Sequence, residues 1–118
     1  FKYDSLYKLA QEVGFTPEQA RIMAAIALAE SSGRAAIDTV QSGLDPEKKN
    51  EFSLGLWQIN MEERYEAQRL KDFRIKNKQE LYNPAVNARA AKILYEQQGF
   101  GAWTKYLNGE YKKFLPKN

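Results

Sequence analysis

The sequence predicts an all-α fold: a single, mainly helical domain with one irregular insert. Two segments, residues 16–32 and 83–98, carry helix start and stop residues around an apolar stretch. Between them, residues 34–52 lose this periodicity and collect Gly, Pro, Asp and Asn, which favours a loop or short irregular β-structure. The 118 residues suffice for one compact core, so we treat 1–118 as one domain. Because the chain lacks an initiator Met, we expect it to be a piece of a longer protein.

The first two helices are predicted from their terminal residues. Asp4 is expected to cap the first helix, and Gly14 is expected to end it in a left-handed conformation. In the second helix, Thr16 is the predicted N-cap, Pro17 takes the first helical position and Gln19 completes a capping box.

The second helix is apolar on nearly all sides from residue 20 to residue 29, and Gly33 is its predicted stop. A helix without a polar face is expected at the centre of a domain. After the insert, SLGLWQIN at 53–60 is either extended or the start of a short helix. Residues 61–73 are predicted to be helical, with an inward-facing set formed by Tyr65, Leu70 and Phe73.

The last long helix has the clearest start and stop residues. Asn83 is its predicted N-cap, Pro84 its first residue and Gly99 its stop. The stretch before it, residues 74–82, is interpreted as a connection. The expected buried stripe consists of Val86, Ala90, Ile93 and Leu94. The aromatic-rich tail, residues 100–115, is expected to pack across the helices.

The composition excludes several kinds of chemistry. The chain has no Cys, so a disulfide, a thiol nucleophile and a thiolate metal site are impossible. It has no His, which removes the Ser-His-Asp triad and the commonest zinc ligand. Any general acid or base is therefore expected to be a carboxyl group, a Lys or a Tyr. We expect neither a metal nor a cofactor.

The charge distribution does not favour a nucleic-acid partner. The net charge is +3, but basic and acidic residues alternate almost throughout. The densest basic stretches, 74–78 and 111–113, are interpreted as solvated surface. The longest apolar run, Met23 to Ala29, is too short to span a bilayer, so no membrane span is expected.

Glu30 places a carboxyl group at the end of the apolar second helix, in IALAESSGR. Burial and the partial negative charge of a helix C-terminus both raise the pKa of a carboxyl group. A raised pKa suits a general acid near neutral pH, and glycosidases use such a group to protonate the leaving oxygen of a sugar linkage. The alternative is a solvated residue at a helix end.

GLWQIN, residues 55–60, combines groups that suit a sugar site. The Trp57 indole offers a flat apolar face, and the amides of Gln58 and Asn60 offer paired donors and acceptors. In the alternative interpretation, the large apolar residues of this segment belong to the core: Leu56, Trp57 and Ile59.

Three segments together carry a family resemblance: AESSG at 29–33, SLGLWQIN at 53–60 and NPAVNARAAKILYEQQGFGAW at 83–103. They resemble the lysozyme-like lytic transglycosylase (SLT) domains, particularly those of bacteriophage virion proteins. The resemblance extends over about residues 16–111. It implies a lysozyme-like α+β fold in which a minimal β or loop insert accompanies the helices.

The resemblance also implies an activity. Glu30 corresponds to the family's catalytic acid, which protonates the glycosidic oxygen between N-acetylmuramic acid and N-acetylglucosamine and then acts as base. The base step activates the 6-hydroxyl of the sugar, so the product is a 1,6-anhydromuramoyl end and water is not consumed. The implied partner is the glycan strand of peptidoglycan. The implied setting is a larger virion or tail protein that acts in the bacterial cell wall or periplasm.

Further site residues follow from the same resemblance. Three polar residues are expected near the substrate: Ser31, Ser53 and Gln58. Trp57 stands where many relatives carry Met. Many relatives also have a Tyr that hydrogen-bonds near the acid; Tyr106, in KYLNG, is our assignment, with Tyr95 as its rival, and Tyr106 could equally be a core aromatic.

Two alternative functions remain open at this point. A muramidase on the same fold would need a second carboxylate about 5–10 Å from the first. The insert region offers four candidates, which we interpret as solvent-facing charges: Asp38, Asp45, Glu47 and Glu51. The other alternative is an inactive module that binds the cell wall. The residues favour lytic cleavage without water.

Overall fold

The computed structural model of the protein describes residues 1–38 and 53–117. Most of these residues are helical, and the predicted mainly helical fold is confirmed. The helices and strands are α1 (Tyr3–Glu12), α2 (Pro17–Ser31), β1 (Ser53–Leu54), β2 (Ile59–Asn60), α3 (Glu63–Phe73), α4 (Pro84–Gln98) and α5 (Thr104–Leu107). Three 3-10 helices complete this part of the chain: Lys78–Tyr82, Gly99–Ala102 and Glu110–Phe114. Most of the predicted insert, residues 39–52, lies outside the described residues.

The start of α2 agrees with the predicted capping box. The Thr16 hydroxyl accepts a hydrogen bond from the Gln19 backbone N–H at 3.2 Å, and the Gln19 side chain accepts one from the Thr16 N–H at 3.0 Å. The helix ends at a left-handed Ser32 (φ 57°), one residue before the predicted stop. Its interior is buried almost without interruption: Ala20, Met23, Ala24, Ala25, Ile26 and Ala27. The predicted central position of α2 is therefore confirmed.

The predicted cap of α1 is wrong. The helix begins at Tyr3, and Lys2 occupies the N-cap position without a side-chain hydrogen bond. Asp4 lies within the first turn, where its negative charge is favourable beside the helix N-terminus. The predicted stop is correct, since Gly14 follows the helix with a φ of 107°.

Residues 53–60 form a β-hairpin, so the extended alternative is the correct one. Ser53 pairs with Asn60, and Leu54 pairs with Ile59, in an antiparallel register. The turn requires Gly55, which has a φ of 77°. A Cβ atom there would overlap the Asn87 side-chain amide and the Leu81 carbonyl oxygen. The hairpin thus packs so closely against α4 that a side chain at position 55 would not fit.

Asn87 joins the hairpin to α4 through three buried hydrogen bonds. Its Oδ1 accepts from the Trp57 N–H, and its Nδ2 donates to the carbonyl oxygens of Leu54 and Leu81, each at 2.9 Å. The side chain is fully buried. Its hydrogen bonds fix the position of the strand pair and of the 3-10 helix Lys78–Tyr82 on α4.

Helix α4 is capped as predicted. The Asn83 side chain accepts hydrogen bonds from the N–H groups of Ala85 and Val86, Pro84 is the first residue, and Gly99 follows the last turn with a φ of 68°. In the predicted stripe, Ala90 and Leu94 are buried, while Val86 and Ile93 are half-buried against the core. Of the predicted inward set of α3, Phe73 is buried, while Tyr65 and Leu70 are half-buried.

The aromatic tail packs across the helices as predicted. A row of ring contacts runs from the start of α2 to the last 3-10 helix, with centroid distances of 5.3, 4.8, 4.9 and 4.9 Å. The rings, in order, are Phe15, Tyr95, Phe100, Tyr106 and Tyr111. This row holds α5 and the following 3-10 helix against the protein body, where they contact α2.

Within the described residues, no helix is both long enough and apolar enough to cross a membrane.

Candidate active site

Glu30 lies in the last turn of α2, one position before the helix ends. Of its two chain neighbours, Ala29 is half-buried and Ser31 is buried, and Glu30 itself is half-buried. Within residues 1–38 and 53–117, its carboxyl group has no hydrogen-bond partner. The carboxyl group is therefore partly removed from water without a bond that would hold it ionised.

Burial raises the pKa of Glu30 from 4.5 to about 7. Loss of hydration is the largest cause, because it disfavours the charged form. The positive charge of Lys105 lowers this pKa, and the negative charge of Glu110 raises it. With a pKa in the neutral range, both the protonated and the ionised form of Glu30 are populated near pH 7. The group can thus donate a proton as an acid and accept one as a base at the same pH.

Lys105 and Glu110 are the charged neighbours that the sequence analysis missed. Lys105 lies on α5, and Glu110 begins the last 3-10 helix. Their side chains form an ion pair with an Nζ–Oε2 distance of 2.7 Å. No spacing rule connects residue 30 with residues 105 and 110. The only available signal was the predicted packing of the tail across the helices.

The two candidate tyrosines lie in different surroundings, and both rings pack against the core. Tyr106 follows Lys105 directly on α5, and its ring stacks between Phe100 and Tyr111. Gln19, in the first turn of α2, donates a side-chain hydrogen bond to the Tyr95 hydroxyl at 3.1 Å. Since α2 has 15 residues, its two ends are about 20 Å apart. Tyr106 therefore lies beside a charged neighbour of Glu30, whereas the Tyr95 hydroxyl is held at the other end of α2.

Ser31 closes the end of α2 behind Glu30. Its hydroxyl donates to the Ala27 carbonyl oxygen at 2.9 Å and accepts from the Gly33 N–H at 3.2 Å. The residue is only 2% exposed. The structure thus shows a role in fixing the backbone next to Glu30. Contact of Ser31 with a substrate stays a prediction.

Trp57 is fully buried at the turn of the hairpin. Its indole N–H donates to the Met23 carbonyl oxygen in α2, and its own carbonyl oxygen accepts from the Trp103 indole, both at 2.9 Å. Leu56 and Ile59 are equally buried. The burial of all three agrees with the alternative interpretation that they belong to the core. It gives no support to stacking of the Trp57 indole on a sugar, which remains a prediction.

The other predicted polar residues gather on the hairpin. The Gln58 amide donates to the carbonyl oxygens of Ile37 and Gly55, at 3.2 and 2.9 Å, and so braces the turn. Gln58 and Asn60 line a cavity of about 160 Å³ together with Tyr65, Arg69, Gln98 and Trp103. Ser53, half-buried, pairs with Asn60 across the strands. The structure thus brings Ser53, Gln58 and Asn60 together, and Glu30 and Ser31 together at the end of α2.

Asp38 is the one candidate second carboxylate of the insert that the structure describes. It is half-buried beside β1 and accepts a hydrogen bond from the Tyr82 hydroxyl at 3.4 Å. The other three candidates, Asp45, Glu47 and Glu51, lie outside the described residues. In the described part of the chain, no group of three or more acidic side chains is arranged to hold a metal ion.

The raised pKa of Glu30 makes stability depend on pH. Between pH 4.5 and about pH 7, Glu30 is protonated in a larger fraction of folded molecules than of unfolded molecules. The associated stabilisation is fully present below pH 4.5 and is lost as the pH rises through about 7. Relative to Glu30→Gln, the wild type should therefore lose at most about 3 kcal/mol of unfolding free energy over this range. Urea unfolding of both proteins at pH 4, 6 and 8 measures this difference. The same change of unfolding free energy with pH in both proteins would contradict the prediction.

The chain belongs to the family of lysozyme-like domains. The model of this family matches residues 7–105. This range includes the whole of α2 with Glu30, the hairpin and Lys105. This family defines a class of domain that acts on the glycosidic bonds of peptidoglycan, and the position of Glu30 suits such chemistry. Searches of curated proteins and of solved structures found no match.

Proposed function

We propose that this domain is a peptidoglycan lytic transglycosylase in which Glu30 is both the general acid and the general base. The observation that carries the proposal is the Glu30 carboxyl group, half-buried at the end of α2 with a pKa of about 7. A group with this pKa changes protonation state readily at neutral pH, and each catalytic turnover requires it to do so twice.

The first step breaks the bond between N-acetylmuramic acid and N-acetylglucosamine. Protonated Glu30 donates its proton to the bridging oxygen while the bond from C1 of muramic acid to that oxygen breaks. Positive charge then develops at C1 and the ring oxygen, as in other glycosidases. Glu30 is left as a carboxylate.

The second step regenerates Glu30 without water. The carboxylate removes the proton from the 6-hydroxyl of the same muramic acid, and the 6-oxygen forms a bond to C1. The products are a 1,6-anhydromuramoyl end and a free 4-hydroxyl on N-acetylglucosamine. The proton returns to Glu30, so a single carboxyl group suffices.

Two carboxylates of the described residues, Glu110 and Asp38, favour this route over hydrolysis; Asp45, Glu47 and Glu51 lie outside the part of the chain that the structure describes. A hydrolase of this type needs a second carboxylate as nucleophile or base. Glu110 acts on Glu30, but it is bonded to Lys105, which lowers the pKa of Glu110 and weakens it as a base. Asp38 is engaged by Tyr82. The sequence resemblance to lytic transglycosylases at the Glu30 and hairpin segments supports the same conclusion.

Product analysis in ¹⁸O-labelled water tests the proposal. Purified peptidoglycan is digested by the wild type and by Glu30→Gln, and the soluble muropeptides are examined by mass spectrometry. We expect products that are one water lighter than hydrolysis products, carry no label and are absent with the variant. Labelled reducing ends would identify a muramidase. Failure of the wild type to release any product would favour a wall-binding module.

The proposal includes a setting for the domain. Its resemblance to virion-borne domains supports a place in a larger phage virion or tail protein that opens the cell wall or reaches the periplasm during entry. The parent chain should then be detectable by mass spectrometry in purified phage particles. Its detection only in uninfected cells would contradict this setting.

A further inference from the structure

Lys105 interacts with two carboxyl groups and is bonded to only one of them. Its Nζ atom is 2.7 Å from Glu110 Oε2, and its charge also acts on Glu30. The Lys105 side chain is 19% exposed, whereas the Glu110 side chain is 43% exposed. A largely buried ammonium group needs a partner, so without Glu110 the remaining carboxyl group within its influence would be Glu30.

The local backbone holds Lys105 and Glu110 face to face. The chain reverses between them at Gly109, which has a φ of 79° and donates its N–H to the Tyr106 carbonyl oxygen at 3.2 Å. The Glu110 N–H donates to the Asn108 side chain at 2.9 Å. Next to the pair, the rings of Tyr106 and Tyr111 stack with centroids 4.9 Å apart and an interplanar angle of 19°. The ion pair is thus held by a turn that has its own hydrogen bonds and ring contacts.

We propose that Glu110 is a positioning residue that holds the Lys105 ammonium group so that it does not form an ion pair with Glu30. The proposal rests on the proposed function of Glu30 as the acid. An acid that is ion-paired to Lys would be held ionised and could not donate a proton. In this view, Glu110 acts on the reaction through Lys105 and does not touch the substrate.

The charges around Glu30 can be assigned element by element. Helix α5 contributes Lys105, and the last 3-10 helix contributes Glu110. The charge of Lys113 acts on Glu110. On α1, Tyr3 interacts with Arg21 in the first half of α2, and neither residue acts on the pKa of Glu30. The amino group of residue 1 donates to the carbonyl oxygen of residue 33, just after α2. Among the described side chains, Lys105 and Glu110 are the charges that act on Glu30.

Two variants should shift the activity profile in opposite directions. Glu110→Gln removes the partner of Lys105 and a negative charge near Glu30, so the pKa of Glu30 falls. The alkaline limb of the pH–activity curve should move down by about one pH unit, since an adjacent cation lowers a carboxyl pKa by 1–3 units. Lys105→Met removes the cation, so the alkaline limb should move to higher pH. Glu110→Asp keeps the charge and should restore much of the wild-type profile.

A matched control is available on α4. Lys92 and Glu96 form another Lys–Glu pair, with an Nζ–Oε2 distance of 3.6 Å. Neither residue acts on Glu30. Glu96→Gln removes the same kind of charge and should leave the profile unchanged.

The experiment combines the pH dependence of peptidoglycan solubilisation with ¹³C NMR titration of the Glu30 carboxyl group in each variant. Opposite shifts in Glu110→Gln and Lys105→Met, in both measurements, are expected. Equal loss of activity at all pH values with an unchanged Glu30 titration would show a merely structural role and overturn the proposal. If Glu110→Gln does not fold, Glu110→Ser, which also removes the partner of Lys105, is titrated in its place, and the same downward shift of the Glu30 pKa is expected. If the wild type releases no product, the proposed function fails, and the NMR titration alone still decides the role of Glu110.

Discussion

Replacing Glu30 with Gln should lower the rate of peptidoglycan solubilisation by about 10²- to 10⁴-fold, the range attributed to general acid–base catalysis. The amide has nearly the same shape but no acidic proton, so both proton transfers are lost. Because the Glu30 carboxyl group has no hydrogen-bond partner among the described residues, the substitution breaks no bond there and should leave the fold intact. The measurement is the initial rate of muropeptide release, with circular dichroism as the check on folding.

Glu18 provides the matched control for this variant. It is exposed in the first turn of α2, at the opposite end of the helix from Glu30. Glu18→Gln should retain the wild-type rate. A folded Glu30→Gln protein that keeps a tenth or more of the wild-type rate would contradict the assignment of the acid.

Replacing Asn87 with Leu should destabilise the domain by about 3 kcal/mol or more. The apolar side chain fits a similar volume but cannot make the three buried hydrogen bonds of the amide, to the Trp57 N–H and to the carbonyl oxygens of Leu54 and Leu81. Each buried unpaired group costs about 1–3 kcal/mol. A loss of this size is a large part of the stability of a domain, which is typically 5–15 kcal/mol. Urea unfolding measures it.

Gln97→Leu is the control for this prediction. Gln97 is an exposed amide on the same helix, with a single hydrogen bond to Asp72 at 3.3 Å. Its replacement should change stability by at most about 0.5 kcal/mol. Equal unfolding free energies for the two variants would show that Asn87 does not join the hairpin to α4 in the way the contacts indicate.

The helix boundaries were predictable because the interactions that set them are local. Thr16 bonds to Gln19, and Asn83 bonds to Ala85 and Val86, so residue types a few positions apart contain the information. The same kind of reasoning failed at Asp4, because an acidic residue near a helix start is favourable both as a cap and inside the first turn. Only the backbone geometry separates the two positions.

The parts of the site that were missed depend on long-range packing. Asn87 bonds to residues from the hairpin and from the preceding 3-10 helix, and its signal in the sequence is only a polar residue within a buried stripe. The approach of Lys105 and Glu110 to Glu30 depends on how the aromatic tail folds back over α2. Trp57 shows the converse problem, since an indole that suits a sugar also suits a core, and its burial was settled by contacts with Met23 and Trp103.

The raised pKa of Glu30 was predictable because one helix contains the relevant information. A run of apolar residues ending in a single carboxyl group predicts burial without a partner, and burial is the largest cause of the raised pKa. Its charged neighbours, which come from the tail, modify this pKa in opposite directions. The dominant effect was therefore local in sequence, and the secondary effects were not.

The most direct test of this account is the titration of Glu30 in the wild-type domain, followed by ¹³C NMR of the carboxyl carbon with Glu30→Gln to assign the signal. Burial at the end of α2 predicts an apparent pKa of about 7, at which the group can donate and then recover a proton at neutral pH. An apparent pKa near 4.5 would mean that Glu30 is an ordinary solvated carboxylate. That result would contradict its role as the acid.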